Sequence, residues 1–343
     1  MTKLLARTLI SLVIVLLGLC TTTQARTITD MKGREVIVPD KIDKVFSASY
    51  PLTVLLYALA PDLLAATNFP ISESAKPFLD PSLRALPVLG GMPGRGRSLN
   101  PEEVMALHPD VILAWIDPMG DTDRTLRQFS GTGLPVLFVE MNTLAGYPAA
   151  LRFLGTLLHR EERAEKLAAY IEAALAGVKD AVGSLSADKK IRVYYAESPD
   201  GLATECDTSF HIEPVILAGG EAVHHCEQTT HMGMDRVTLE QIIAERPDLL
   251  LVQDPDFGRA VAADPNWRHV EAVQKEHITI VPHFPFNWLD RPPSVMRALG
   301  IQWLAHSLYP DRLPFDRIAD TRAFLRLFFG SDPSDKEIEQ LLH

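Results

Sequence analysis

The chain has little sulfur, few aromatics and no excess of positive charge. Three cysteines occur in 343 residues, aromatic residues make up 7%, and acidic residues outnumber basic ones to give a formal net charge of -11. An acidic surface disfavours nucleic acid, because binding a phosphate backbone calls for basic patches. After residue 20 no apolar run is long enough to cross a bilayer, which takes about 20 residues. The glycines at 90–96 do not form GxGxxG after a strand, so no dinucleotide site is supported. Neither GxSxG nor HExxH is present, which removes the common hydrolase and metalloprotease signatures. What remains is ordinary globular composition, 47% hydrophobic and 22% charged, in a length that suits two domains or one large one.

The N-terminus reads as a targeting segment. Lys3 and Arg7 precede an apolar run from Leu9 to Leu19, and small and polar residues follow from Thr21 to Ala25. That order is the layout of a secretory signal peptide over 1–25, with cleavage after Ala25. Cys20 offers a lipoprotein alternative, but Leu19 is bulky where lipoprotein signals carry a small residue. Export permits disulfides. Cys206 and Cys226 would then remain, as a disulfide stabilising the chain by about 3 kcal/mol, as two free thiols or as a metal pair.

One phrase occurs twice. Residues 98–115 read SLNPEEVMALHPDVILAW, and residues 237–252 read VTLEQIIAERPDLLLV. Each predicts a short helix, a Pro-Asp corner and a buried strand, with Glu102 and Glu240 in matching places. A unit used once per half predicts two similar lobes. Strands alternating with helices predict a mostly parallel sheet in each, flanked by helices. Residues 27–39 alternate about a Lys-Gly turn as a hairpin. Residues 147–184, rich in Ala, Leu, Glu and Arg with a helical apolar stripe, predict a long connector helix that the charged patch His159–Glu165 can divide. A stiff connector holds lobes apart in a way that a Gly-Ser hinge does not. The expected organisation is a signal peptide 1–25, an N-terminal lobe 26–146, a linker helix 147–184, a C-terminal lobe 185–310 and an appended helical tail 311–343.

This layout resembles the helical-linker (class III) periplasmic binding proteins that serve ABC importers for iron–siderophore complexes, haem and cobalamin. The carriers of the resemblance are the two Glu-bearing phrases and their spacing across the connector. The segment Phe286-Asn-Trp288-Leu-Asp-Arg291-Pro-Pro-Ser294 with Gly300-Ile-Gln-Trp303-Leu is similar to an iron-complex subgroup. The resemblance implies a binding protein and not an enzyme, with no cofactor of its own and an iron chelate as cargo. It implies Glu102 and Glu240 as contacts to an ABC permease dimer in the inner membrane, Glu103 being an adjacent rival. Haem, cobalamin, a nickel complex, or molybdate or tungstate are alternative cargoes within the same role. A metal-dependent enzyme or chelatase on a similar two-lobed fold is the alternative from another class.

Ligand is expected between the lobes, at loops that follow strand C-termini. On the first lobe these loops nominate Tyr50, Met92, Arg95, Arg97, Trp115 and Asp117. On the second they nominate Glu197, His231, Asp254, Trp288 and Arg291. Guanidinium groups form bidentate bonds to carboxylate or oxyanion oxygens, and Tyr and Trp supply flat apolar walls with a polar edge. His231 is a candidate metal ligand; the other second-lobe histidines read as structural, and adjacent His224-His225 rarely meet one ion.

Overall fold

The computed structural model describes residues 24–90, 99–116, 120–228 and 233–342. It opens with a hairpin of β1 (Ala25–Thr29) and β2 (Glu35–Pro39), paired from Ala25 opposite Pro39 to Thr29 opposite Glu35. The turn is built on Asp30, whose carboxylate accepts from the backbone N–H of Lys32 and Arg34 and from the Arg34 guanidinium. Gly33, at φ +80°, supplies the left-handed residue the turn needs. Asp30 also accepts from Phe138 N–H, which docks the hairpin on the first lobe.

The first lobe holds the parallel sheet β3 (Val45–Ser47), β4 (Val111–Trp115) and β5 (Val136–Val139), in that spatial order. Single bridges at Val45–Leu64 and Thr67–Val88 extend it beyond β3. The second lobe contains β6 (Arg192–Ala196), β7 (Ala203–Thr204), β8 (Glu221–Ala222), β9 (Asp235–Arg236), β10 (Leu249–Val252) and β11 (Ile278–Ile280). Its main sheet is parallel in the order β11-β10-β6-β8, with β7 and β9 as an antiparallel pair beside it. The central strands are nearly all buried, as sheets covered on both faces must be.

The repeated phrase folds the same way in both lobes. Helices Pro101–Ala106 and Leu239–Glu245 are capped by the side chains of Asn100 and Thr238. Each chain then passes through a left-handed residue, His108 or Arg246, both at φ 49°, immediately before the proline. The next residue, Asp110 or Asp248, turns its carboxylate onto the start of the neighbouring strand. Asp110 accepts from Asp43 N and Lys44 N at 2.7 and 2.8 Å, and Asp248 from Arg192 N at 3.0 Å. The Pro-Asp corner thus sets the register of β4 against β3 and of β10 against β6.

The connector is two helices folded back on each other, Tyr147–Leu158 and Glu161–Val182, broken by left-handed His159 at φ 54°. The break falls at the start of the charged patch. Gly155 lets the helices touch, since a Cβ there would lie 2.5 Å from that of Ala164. Arg152 pins them by bonds to Glu165 and Glu172. The second member, 22 residues or about 33 Å long, is the rigid strut between the lobes. The helix after the Pro292-Pro293 pair starts at Arg297, because residues 291–294 stay irregular and Val295-Met296 form a turn. The tail is no loose appendage. Helix Ala319–Phe329 packs Phe329 on Tyr57 of the first lobe and Phe324 and Phe328 on Tyr170 of the strut. Arg163 of the strut reaches the carbonyls of both Ala58 and Leu327. Among the described residues no helix is long and apolar enough to cross a membrane.

Candidate functional site

The C-terminal ends of both parallel sheets turn toward the seam between the lobes, and two aromatic contacts bracket it. On one side Tyr50 and Phe69 of the first lobe, 4.0 Å apart, meet the edge of Phe286 from the second lobe at 6.2 and 5.7 Å. On the other, Trp115 at the end of β4 meets Phe210 at 6.2 Å and 71°. The indole N–H of Trp115 donates to Asn142, which fixes the ring as a half-buried wall. A groove of about 1080 Å³ runs past the first bracket, with Tyr50, Phe69, Phe286, Asn287 and Arg291 among its walls. Burial drives the Tyr50 phenol far above its ordinary pKa, so the ring presents a neutral hydroxyl.

Behind the seam lies a buried ionic cluster. Arg291 grips Glu197 with two bonds of 2.9 and 2.6 Å and also bonds Glu205; both acidic side chains are fully buried. Burial pushes the Glu197 carboxyl well above its ordinary pKa. The Arg291 guanidinium opposes that shift, and contact with the Glu205 carboxylate adds to it. Burial disfavours the charge on Arg291, but its carboxylate partners outweigh this and hold its pKa above the ordinary value. Next to this trio, Arg297 bonds Asp290 at 2.7 Å and Glu213 at 3.0 Å, while His211 turns its Nδ1 to Asp290. Glu213 also accepts the backbone N–H of Leu144 at 3.1 Å, tying the second lobe to the base of the connector.

Several sequence-nominated residues meet in this region and others do not. Tyr50 and Trp115 are walls of the seam. Glu197 and Arg291 are adjacent but grip each other, so neither presents an unmatched charge. Trp288, expected as a cleft wall, is sealed in the core at 0% exposure. Its ring stands on Trp303 at 82° and its indole N–H donates to the Phe284 carbonyl. Its backbone lies so close to Gly300 that a Cβ there would sit 2.0 Å from the Trp288 carbonyl oxygen. The ring of this segment that reaches the seam is Phe286, two residues earlier, itself only 4% exposed and packed edge-on against Phe329 of the tail as well as Tyr50 and Phe69. Asp254 caps helix Pro255–Ala260 by accepting from Phe257 N at 2.9 Å, which is a structural task. Met92, Arg95, Arg97, Asp117 and His231 lie outside the described residues. Cys206 and Cys226 form a disulfide with Cα atoms 4.9 Å apart. Sequence reasoning missed Phe69, Phe210 and Glu205. Only Phe69 carried a signal, as the second residue after the bridge at Thr67.

A periplasmic binding protein family model matches residues 54–283, well over half the chain. The chain belongs to the periplasmic binding protein family. The binding protein is 26% identical over 314 residues to the molybdate-binding protein MolA of Haemophilus influenzae, covering 84% of this chain and 86% of the relative. It superimposes on the ABC transporter solute binding protein of Sulfurospirillum deleyianum with a TM-score of 0.86 and 36% identity, covering 92% and 98% of the two chains. The periplasmic vitamin B12 binding protein BtuF of Vibrio cholerae, at 21% identity, shares the fold with a TM-score of 0.61 over 78% of this chain and 96% of that one. The two lobes and helical strut are thus those of a class III periplasmic binding protein. Its role is that of the substrate-binding component of an ABC importer, which carries its ligand as cargo and performs no chemistry on it.

Proposed function

We propose that this protein captures an anionic metal complex, an iron chelate of the siderophore type, between its lobes and delivers it to an ABC permease dimer in the inner membrane. The observation that carries this reading is the roomy groove beside the seam, walled by aromatic rings from both lobes. A volume of about 1080 Å³ suits an organic chelate, and flat rings pack on one. Behind the seam, Arg291 and Arg297 are already matched by carboxylates. A bare oxyanion, which depends on unmatched donors, therefore gains little from them. The loop containing Arg95 and Arg97 supplies the anion contacts in this reading, with His231 as a metal contact. The strut and the tail both cross between lobes, so closure is small and affinity rests on a largely preformed cleft.

Export follows the signal peptide over 1–25, releasing the mature protein at Arg26 into the periplasm. Docking uses Glu102 and Glu240. Both are exposed, both occupy the second position of matching helices, and neither pairs with another described side chain. A second reading, molybdate or tungstate as cargo, is favoured by the similarity to the Haemophilus protein over most of the chain. Titration of the purified mature protein with ferric chelates, haem, cobalamin, molybdate and tungstate, followed by tryptophan fluorescence and calorimetry, separates them. Tight binding of a ferric chelate supports the first reading. Tight binding of molybdate or tungstate alone overturns it in favour of the second.

A further inference from the structure

The disulfide sits in a group of side chains that the seam does not use. His224 stands two residues before Cys226, with its ring largely covered. Its Nε2 lies 2.8 Å from Asp235 Oδ2 and its Nδ1 3.0 Å from Glu245 Oε1. A nitrogen of His224, a carboxylate oxygen of Asp235 and Sγ of Cys226 all lie within 4.8 Å of one another. These atoms come from three different segments: the stretch after β8 carries His224 and Cys226, β9 carries Asp235, and the end of helix Leu239–Glu245 carries Glu245. His225 is not part of the group, because its Nδ1 is turned to Asp207 at 2.7 Å.

A disulfide sulfur is a poor metal ligand, whereas a thiolate is a strong one. An imidazole with a carboxylate at each nitrogen has the arrangement of a ligating histidine: one nitrogen and its neighbouring carboxylate face the metal, and the second carboxylate orients the ring. Bond lengths of about 2.0–2.3 Å put tetrahedral donors about 3.3–3.8 Å apart. Donors within 4.8 Å of one another therefore need to close by about 1.5 Å at most, which side-chain rotation supplies.

We propose that opening the Cys206–Cys226 disulfide creates a site for a borderline-soft divalent cation of the zinc class, held by His224, Asp235 and Cys226 with Glu245 orienting the imidazole. The reductant is a dithiol, small or protein-borne. It gives two electrons and two protons, the S–S bond breaks, both cysteines become thiols, and the dithiol closes to its own disulfide. Metal binding then releases the Cys226 thiol proton to solvent. Cys206, freed in the same step, is the adjacent sulfur for a fourth position. Because β9 and the end of the Glu240 helix both contribute, the ion would cross-link the segments that lead into the docking helix.

The test uses the full mature protein, reduced with a soluble dithiol, desalted without oxygen and titrated with Co²⁺ as probe, then with Zn²⁺ in competition. The expected result is one Co²⁺ per reduced chain with thiolate-to-cobalt charge-transfer absorption, displaced by Zn²⁺, and at least tenfold weaker binding by the oxidised protein. Cys226→Ser should lose the charge-transfer band, and His224→Ala and Asp235→Asn should each weaken binding at least tenfold. His225→Ala should bind as the parent does. Equal affinity of oxidised and reduced protein, unchanged affinity in His224→Ala and Asp235→Asn, or loss of the native circular dichroism on reduction would each overturn the proposal.

Discussion

Replacing Arg291 by Met tests whether the ionic cluster behind the seam works as described. In the native protein the single guanidinium of Arg291 faces two fully buried acidic side chains, Glu197 and Glu205, and bonds both. Removing one partner of a buried ion pair costs about 3–5 kcal/mol, because the remaining charge is left without compensation. Here Glu197 has an escape, since burial already pushes its carboxyl well above the ordinary pKa, and losing the guanidinium raises it further. A folded-state pKa above the unfolded one means that the native state holds a proton the unfolded chain has released. Stability therefore falls as pH rises between the two values, by about 1.4 kcal/mol per pH unit for one proton. The native protein stops losing stability at its own folded pKa, while the variant continues to a higher one. Urea unfolding should thus show a small gap between them near about pH 5 and a gap approaching about 3–5 kcal/mol in the alkaline range. Adding Glu197→Gln to the variant should remove most of the pH dependence. A loss below about 1 kcal/mol at alkaline pH, or one independent of pH, would refute the picture of a buried carboxylate pair held by one guanidinium.

Other perturbations address the remaining parts. Reversing both Glu102 and Glu240 to Lys should abolish uptake into cells while ligand affinity stays within roughly threefold, about 0.7 kcal/mol; normal uptake would remove them from the docking surface. Phe69→Ala, which removes a half-buried seam ring, should weaken ligand binding by about 1–3 kcal/mol through lost stacking and burial, measured by calorimetry, whereas Trp288→Ala should first show as a loss of about 3–5 kcal/mol in folding stability. Phe328→Ala, which strips the tail from the strut, should also cost about 3–5 kcal/mol in urea unfolding, and a loss under about 1 kcal/mol would mean that the tail does not brace the lobes. N-terminal sequencing of exported material should begin at Arg26; a lipid on Cys20 would instead make the protein membrane-anchored.

The fold was legible wherever the chain repeated itself or kept a strict period. The two Pro-Asp phrases announced two lobes because each encodes a local unit of cap and left-handed turn that needs no distant partner, and only its carboxylate reaches a neighbouring strand far away in sequence. The site was less legible for the opposite reason. Trp288 and Phe286 sit two residues apart in one loop, both end up buried, and nothing local says which ring reaches the seam. Gly300, twelve residues on, decides it by admitting the Trp288 backbone, and Trp303 completes the packing. Arg291 was nominated from sequence as a ligand-binding cleft arginine, and its matching could not be seen there because Glu197 and Glu205 approach it from segments more than 85 residues away. The sense of a charge in a cleft depends on what faces it, and that is set by tertiary contacts. In this protein those contacts match the charges behind the seam to one another, and in the proposed reading they leave the ligand-facing role to the rings that bracket it.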